Sequence, residues 1–288
     1  MLQIARLSPN VLGESAALVA DFFKGQQNPD GGFRDRDGKS DLYYTAFGIG
    51  GLMALQLPLP VESLAKYLQT FGDGGTLDLV HLACLARCWA ALPADLDGRP
   101  PADRVLQRIE RFRTADGGYG AEPGVTCGTV YGCFLALGAY QDLQYPLPDS
   151  ARVLECIDRL RTHDGGYANS LDMPGGLTPP SAAAATLLRH LGQRPDVQLR
   201  DWLWRQWHPE GGFCATRAAP LPDLLSTATA LHALESLHAD LSSIKEPCLD
   251  FIDTLWNARG AFHGNWEDDE LDCEYTYYGL LALGHLSL

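Results

Sequence analysis

A chain of 288 residues with 46% hydrophobic and 20% charged residues is long enough to bury a large core, and 36 acidic against 22 basic residues give it a formal charge of −14. That field repels polyanions, which excludes nucleic acid and anionic membrane as general partners. It contains no run of eighteen apolar residues and no basic-plus-apolar leader, so the sequence reads as a cytoplasmic protein with no transmembrane segment. The opening MLQIARLSPN reads as the approach to an amphipathic helix, with Ser8 as N-cap and Pro9 at the first helical position. That helix leads to a DGGF turn at Asp30 to Phe33, and the signature then recurs: GDGG at Gly72 to Gly75, DGGY at Asp116 to Tyr119, DGGY at Asp164 to Tyr167, EGGF at Glu210 to Phe213 and RGAF at Arg259 to Phe262. Gly31, Gly74, Gly117, Gly165, Gly211 and Gly260 are spaced by 43, 43, 48, 46 and 49 residues, each interval holding two helices and their connections.

Each unit has the same plan: an amphipathic helix, a glycine turn that needs positive φ, a polar loop, and a second helix rich in Ala, Leu, Gly and Tyr. The second helices are expected at 41–56, 77–92, 126–141, 180–191, 223–238 and 272–287, and several are apolar nearly all round, so they must be buried. Concentric layers follow: an all-α toroid, an α6/α6 barrel of six helix pairs over residues 1–288 as one domain, with the second helices inside. A ring is preferred to an open solenoid because the last inner helix is followed by no polar capping repeat. In a ring, all inner helices start on one face, so the loops after the glycine turns gather at one mouth. The eight cysteines, at 84, 88, 127, 133, 156, 214, 248 and 273, contain no CxxC pair and are expected to be reduced, mostly as small buried hydrophobes.

The glycine turn followed by Asp-x-x-x-Thr, in DGGFRDRDGKSDLYYTAFGIGGL and in AFHGNWEDDELDCEYTYYGLLAL, resembles the β subunits of protein prenyltransferases. Gln27 to Phe33 also resembles the QxxxGx-aromatic turn of squalene and oxidosqualene cyclases. The resemblance implies an apolar cavity for an isoprenoid or similar hydrophobic small molecule, and in the prenyltransferases a helical partner subunit. It also implies a zinc ion held by an Asp-x-Cys pair and a distant histidine, but those positions fall on Asp223, Leu225 and Tyr275, so zinc is expected to be absent. Of the cations that would hold a diphosphate, Arg217 is kept, whereas the lysine position is Pro220 and the histidine position falls near Pro180. The cyclases' Asp-x-Asp-Asp acid motif does not occur.

The residues therefore leave the ligand site open around Arg217, Asp223, Tyr44, His81, Asp272 and Tyr275. Asp41, Asp78, Asp223 and Asp272 share the first position of an inner helix, which is the behaviour of a repeated N-cap. His81 holds in the second unit the place of Tyr44 and Tyr275 in the first and last. The carboxylates of WEDDELDCEY read as a solvated rim, or alternatively as an attractor of Mg²⁺ or a basic ligand. Arg34, Arg36 and Lys39 alternate with Asp35, Asp37 and Asp41, which are expected to neutralise them. Tyr43, Tyr44, Trp202, Trp204, Trp207, Tyr275, Tyr277 and Tyr278 are at helical spacing and read as core. The functions left open are a prenyltransferase-like protein with its zinc-dependent transfer absent or altered, a variant terpenoid-handling enzyme, and a non-catalytic binding or assembly module on the same ring.

Overall fold

All six marker glycines have positive φ, between 79° and 101°. Positive φ is costly for any residue with a Cβ, and at every marker but Gly165 the space is closed as well. In the computed structural model, which describes residues 1–194 and 196–288, a Cβ on Gly31 would lie 2.0 Å from the Ser63 carbonyl oxygen, and one on Gly211 would lie 2.1 Å from that of Pro247. At Gly74 the neighbour is Leu82 of the inner helix of its own unit, at 2.4 Å, whereas the turns at Gly31, Gly117 and Gly211 are pressed on the outer helix of the next unit. Gly260 does the same on Leu18, at 2.2 Å, so the last turn lies against the first outer helix and the ring is shut.

The α-helices in chain order are α1 (Leu2–Ala5), α2 (Pro9–Leu12), α3 (Ala16–Gly25), α4 (Leu42–Ala54), α5 (Val61–Gln69), α6 (Leu79–Ala90), α7 (Ala102–Glu110), α8 (Val130–Asp142), α9 (Ser150–Arg159), α10 (Thr178–His190), α11 (Val197–Trp204), α12 (Leu224–Ser236), α13 (Lys245–Thr254) and α14 (Cys273–Leu286). The even members from α4 to α14 form the inner layer, each packed on the next, and α14 packs on α4. The odd members from α3 to α13 lie outside them. The chain is therefore an α/α toroid. Its β structure among the described residues is marginal: two antiparallel pairs of two-residue strands, Phe33–Arg34 with Ser40–Asp41 and Trp256–Asn257 with Ala261–Phe262. No helix among the described residues is long and apolar enough to cross a membrane.

The Asp-x-x-x-Thr motif is a joint between turn and inner helix. Asp41 and Asp223 accept from the first-turn N–H groups of Tyr43 and Ser226, both at 2.7 Å, and Asp78 and Asp272 cap α6 and α14 through His81 and Tyr275 at 2.9 and 2.8 Å. Four residues on, Thr45 and Thr227 each donate to the carbonyl of the capping aspartate, at 2.6 and 2.7 Å, and accept from the N–H of the turn aromatic, Phe33 or Phe213, at 2.9 Å. Tyr167 N–H reaches Ser181 Oγ in the same way, at 2.9 Å. Both hydroxyl functions are used in a place closed to water, where an unpaired N–H would be costly.

The N-terminal segment departs from expectation. Ser8 makes no capping bond; its hydroxyl is buried without a partner, and the first outer helix is broken, with α1 and α2 preceding α3. The reason is packing: α1 lies across the end of the ring where the inner helices finish, with a Cβ on Gly284 of α14 excluded by the Ile4 carbonyl at 2.1 Å. All eight cysteines are free thiols, and seven of them are buried.

Candidate functional site

The inner helices enclose a cavity of about 670 Å³, with a wall contributed by all six. The wall is mostly apolar and aromatic: Tyr43, Phe47, Tyr131, Phe134, Tyr277 and Tyr278 surround its upper part, with Ile49, Leu135, Leu137, Ala182 and Leu225 among them. Tyr43, Tyr277 and Tyr278, expected as core, thus face the cavity, and Phe47 joins them, its ring centroid 5.0 to 5.7 Å from theirs.

Into this wall the first turn of α14 sets Glu274. The sequence places it in a solvated rim; the structure instead turns it inward, because the cap at Asp272 starts the helix and the second helical residue then faces the axis. Burial drives the Glu274 pKa up to about 7, and the hydrogen bond donated by Tyr43 Oη to Oε1 at 2.5 Å opposes that rise only in part. Near neutral pH this is a carboxyl poised between acid and base. Burial likewise raises the Tyr43 hydroxyl far above its ordinary range, so it stays the donor.

The six sequence candidates are placed elsewhere. None of them contributes to the cavity wall. Asp272, Tyr44 and Tyr275 gather at the mouth around Arg36, whose Nε donates to Asp272 at 2.8 Å and whose Nη2 donates to Asp268 at 2.9 Å, while its guanidinium lies 5.5 Å over the Tyr275 ring. Arg36 is therefore not neutralised by Asp35 and Asp37. Its partners are 232 and 236 residues away and only ring closure supplies them. Burial raises the Asp272 pKa even with Arg36 in place, and Asp272 is 3% exposed, so it too is withdrawn from the solvated rim; Glu267, Asp269 and Glu270 remain exposed. His81 bridges two caps, with Nε2 3.2 Å from Asp41 and Nδ1 2.8 Å from Asp78, and those hydrogen bonds, Asp41's first, lift its pKa to about 9. Asp223 is occupied by Ser226 through N–H and hydroxyl. Arg217 lies apart, in an exposed pocket of about 280 Å³ with Arg205, Trp207 and His208.

The prenyltransferase alpha-alpha toroid domain family matches residues 12–74 and 181–287, more than half of the chain. This chain belongs to that family. No match is found among curated proteins. Among solved structures, this toroid is similar to the Candida albicans protein geranylgeranyltransferase-I complexed with GGPP, at 14% identity and a TM-score of 0.68 over 94% of this chain and 90% of that one. It is also similar to the type II terpene cyclase MstE from Scytonema, in a variant complexed with its product merosterolic acid A, at 15% identity and a TM-score of 0.66 over 97% of both chains. A protein from Actinoplanes matches at 16% identity, with a TM-score of 0.61 over 95% of this chain and 98% of that one. At such identities the likeness is one of fold.

The zinc positions implied by the prenyltransferase members do not fit the metal in this toroid. Asp223 spends both oxygens on Ser226, Leu225 is a hydrocarbon facing the cavity, and Tyr275 carries Arg36 on its ring. Among the described residues no group of three or more His, Cys, Asp or Glu is placed to hold a metal ion, the carboxylates of 267–274 included.

Two further charged residues of the wall are not among the sequence candidates. Arg87 on α6 donates through Nε to Asp142 on α8 at 3.1 Å, and both border the cavity. Arg87 was legible as a lone cation in the apolar helix LVHLACLARCWA. Its partner, 55 residues on, was not.

Proposed function

We propose that the toroid binds an elongated, largely apolar isoprenoid or terpenoid in its central cavity and acts on it through Glu274 as a proton donor. The observation that carries this is one carboxyl, with a pKa of about 7, set among aromatic rings inside an apolar cavity. Tyr43 occupies Oε1, which leaves Oε2 to hold the proton. Transfer of that proton to a ligand atom creates a carboxylate that Tyr43 steadies. Positive charge on the ligand is met by the faces of Phe47, Tyr131, Tyr277 and Tyr278. A donor of this strength matches a basic oxygen, such as an epoxide or an allylic ether, better than an unactivated alkene. The balance closes when the ligand cation loses a proton back to the Glu274 carboxylate, or when water adds to it and the added water's extra proton returns to that carboxylate.

Zinc-dependent prenyl transfer is not part of this reading, and neither is a diphosphate anchor at Arg217, which stands outside the cavity. Calorimetric titration of geranylgeranyl diphosphate and of the uncharged alcohol, with and without Mg²⁺, tests the binding half. The alcohol should bind more tightly in the absence of metal. Tight diphosphate binding without metal, lost in Arg217→Ala, would overturn it. The catalytic half is tested by incubating a terminal prenyl epoxide with the protein and following products by gas chromatography. Glu274→Gln should bind the epoxide and fail to convert it; unchanged conversion would remove Glu274 from the role.

A further inference from the structure

The far end of the cavity carries a second polar site that the acid chemistry does not use. Arg87 stands nine positions after the Asp78 cap of α6, and Glu274 two positions after the Asp272 cap of α14. At 1.5 Å per residue the Arg87 backbone therefore lies about 10 Å deeper along the axis than that of Glu274. Its side chain is 54% accessible although protein surrounds it, because the accessible surface belongs to the cavity. Nε is spent on Asp142, whereas among the described residues Nη1 and Nη2 donate to nothing. Their niche is kept open by Gly138 of α8, where a Cβ would come within 3.1 Å of Nη2.

The positive charge at this end already has partners. Asp142 pairs with Arg87, Glu235 stands against Arg189 and the Met1 ammonium, whose pKa burial and the two guanidiniums lower, and the C-terminal, electronegative ends of the inner helices converge on the same level. An anionic head group placed there would meet those carboxylates and those helix ends in a medium that screens poorly. What the site lacks is acceptors for N–H groups, and an uncharged oxygen supplies them without adding charge. His190, also in the cavity wall, points the same way: Gln141 Nε2 lies 3.1 Å from its Nδ1, and burial lowers its pKa, so the ring is neutral and keeps Nε2–H as a donor.

We infer that the deep end of the cavity takes an uncharged oxygen of the ligand, a hydroxyl, carbonyl or ether, on the free guanidinium edge of Arg87, so that the ligand is a terpenoid oxygenated at the end remote from Glu274. This rests on the cavity as the ligand site. It adds the orientation of the chain and the chemical class of its deep terminus.

Displacement of Nile red from the purified protein at pH 7.5 compares geranylgeraniol, a hydrocarbon of the same length and geranylgeranoic acid. The alcohol should bind at least tenfold more tightly than the hydrocarbon, the usual worth of a hydrogen bond to a charged donor, and more tightly than the acid. In Arg87→Met/Asp142→Asn, which removes both members of the ion pair and strands neither, the alcohol and the hydrocarbon should become equal. Equal affinities in the unaltered protein, or the acid binding best, would overturn the inference while leaving the cavity as the ligand site. A preference lost in Glu274→Gln and kept in the double variant would place the oxygen at the mouth and overturn it too. Binding of none of the three would bring down the cavity reading and this one with it. Should the double variant not fold, the three-ligand comparison on the unaltered protein decides.

Discussion

Replacing Glu274 by Gln changes one proton and almost no volume, so its effect on stability isolates the cost of holding this carboxyl in the cavity wall. The folded carboxyl has a pKa of about 7 against an ordinary 4.5. Between those two values the folded protein holds a proton that the unfolded chain has released, so stability falls as pH rises. Below 4.5 both states are protonated and the group is neutral in the balance; above 7 both are ionised and the folded state bears the full desolvation cost. The gap is worth about 3 kcal/mol at 1.36 kcal/mol per pH unit, as a ceiling, because water in the cavity screens the part of the carboxyl that faces it. Glu274→Gln keeps an acceptor for Tyr43 and never ionises. It should therefore match the parent protein near pH 4.5 and exceed it progressively up to pH 8. Urea unfolding followed by far-ultraviolet circular dichroism at several pH values measures this, since every other titrating group cancels in the difference. A difference that does not change with pH, or that turns against the variant as pH rises, would refute the burial argument.

His81 should be protonated at pH 7.5, with an NMR titration midpoint close to 9, because Asp41 and Asp78 both accept from its ring. The stability it contributes is present below about pH 6.5 and is lost as pH rises through 9, and His81→Gln should abolish that decline; a midpoint below 7 would show that the two carboxylates do not hold it. Gly260→Ala should cost about 2–5 kcal/mol in a chemical denaturation series, combining positive φ with a Cβ driven into Leu18. Gly38→Ala has a positive φ and open space around it, so it should cost only about 1–2 kcal/mol, and equal losses at the two sites would contradict the ring-closing contact.

The repeat was legible because its causes are local. A glycine at positive φ, an aspartate that caps a helix and a threonine one turn later each solve a backbone problem within about a dozen residues, and they leave the same mark in unit after unit. Inner helices could be told from outer ones by their apolar faces, and their starts fell within four residues of the expected ones, at 42, 79, 130, 178, 224 and 273. The break before α3 was not legible, since α1 packs on α14, the inner helix of the last unit, as well as on α4. Position in the unit likewise points to residues at the mouth, where the caps are, and not to those in the wall.

The amino-acid sequence by itself determined the six-unit toroid, because capping, turn geometry and helical periodicity act over a few residues and need no tertiary context. It could not distinguish Glu274 from Glu267, seven residues before it in the same acidic stretch. Only the closed ring decided that one is exposed and the other walled in beside Tyr43, that Arg36 pairs with Asp268 and Asp272, and that Arg87 meets Asp142 inside the cavity. The physical reason is that the protonation and pairing of a charged group depend on the water removed from around it and on the partners brought to it. In a ring, both come from segments far apart in the chain.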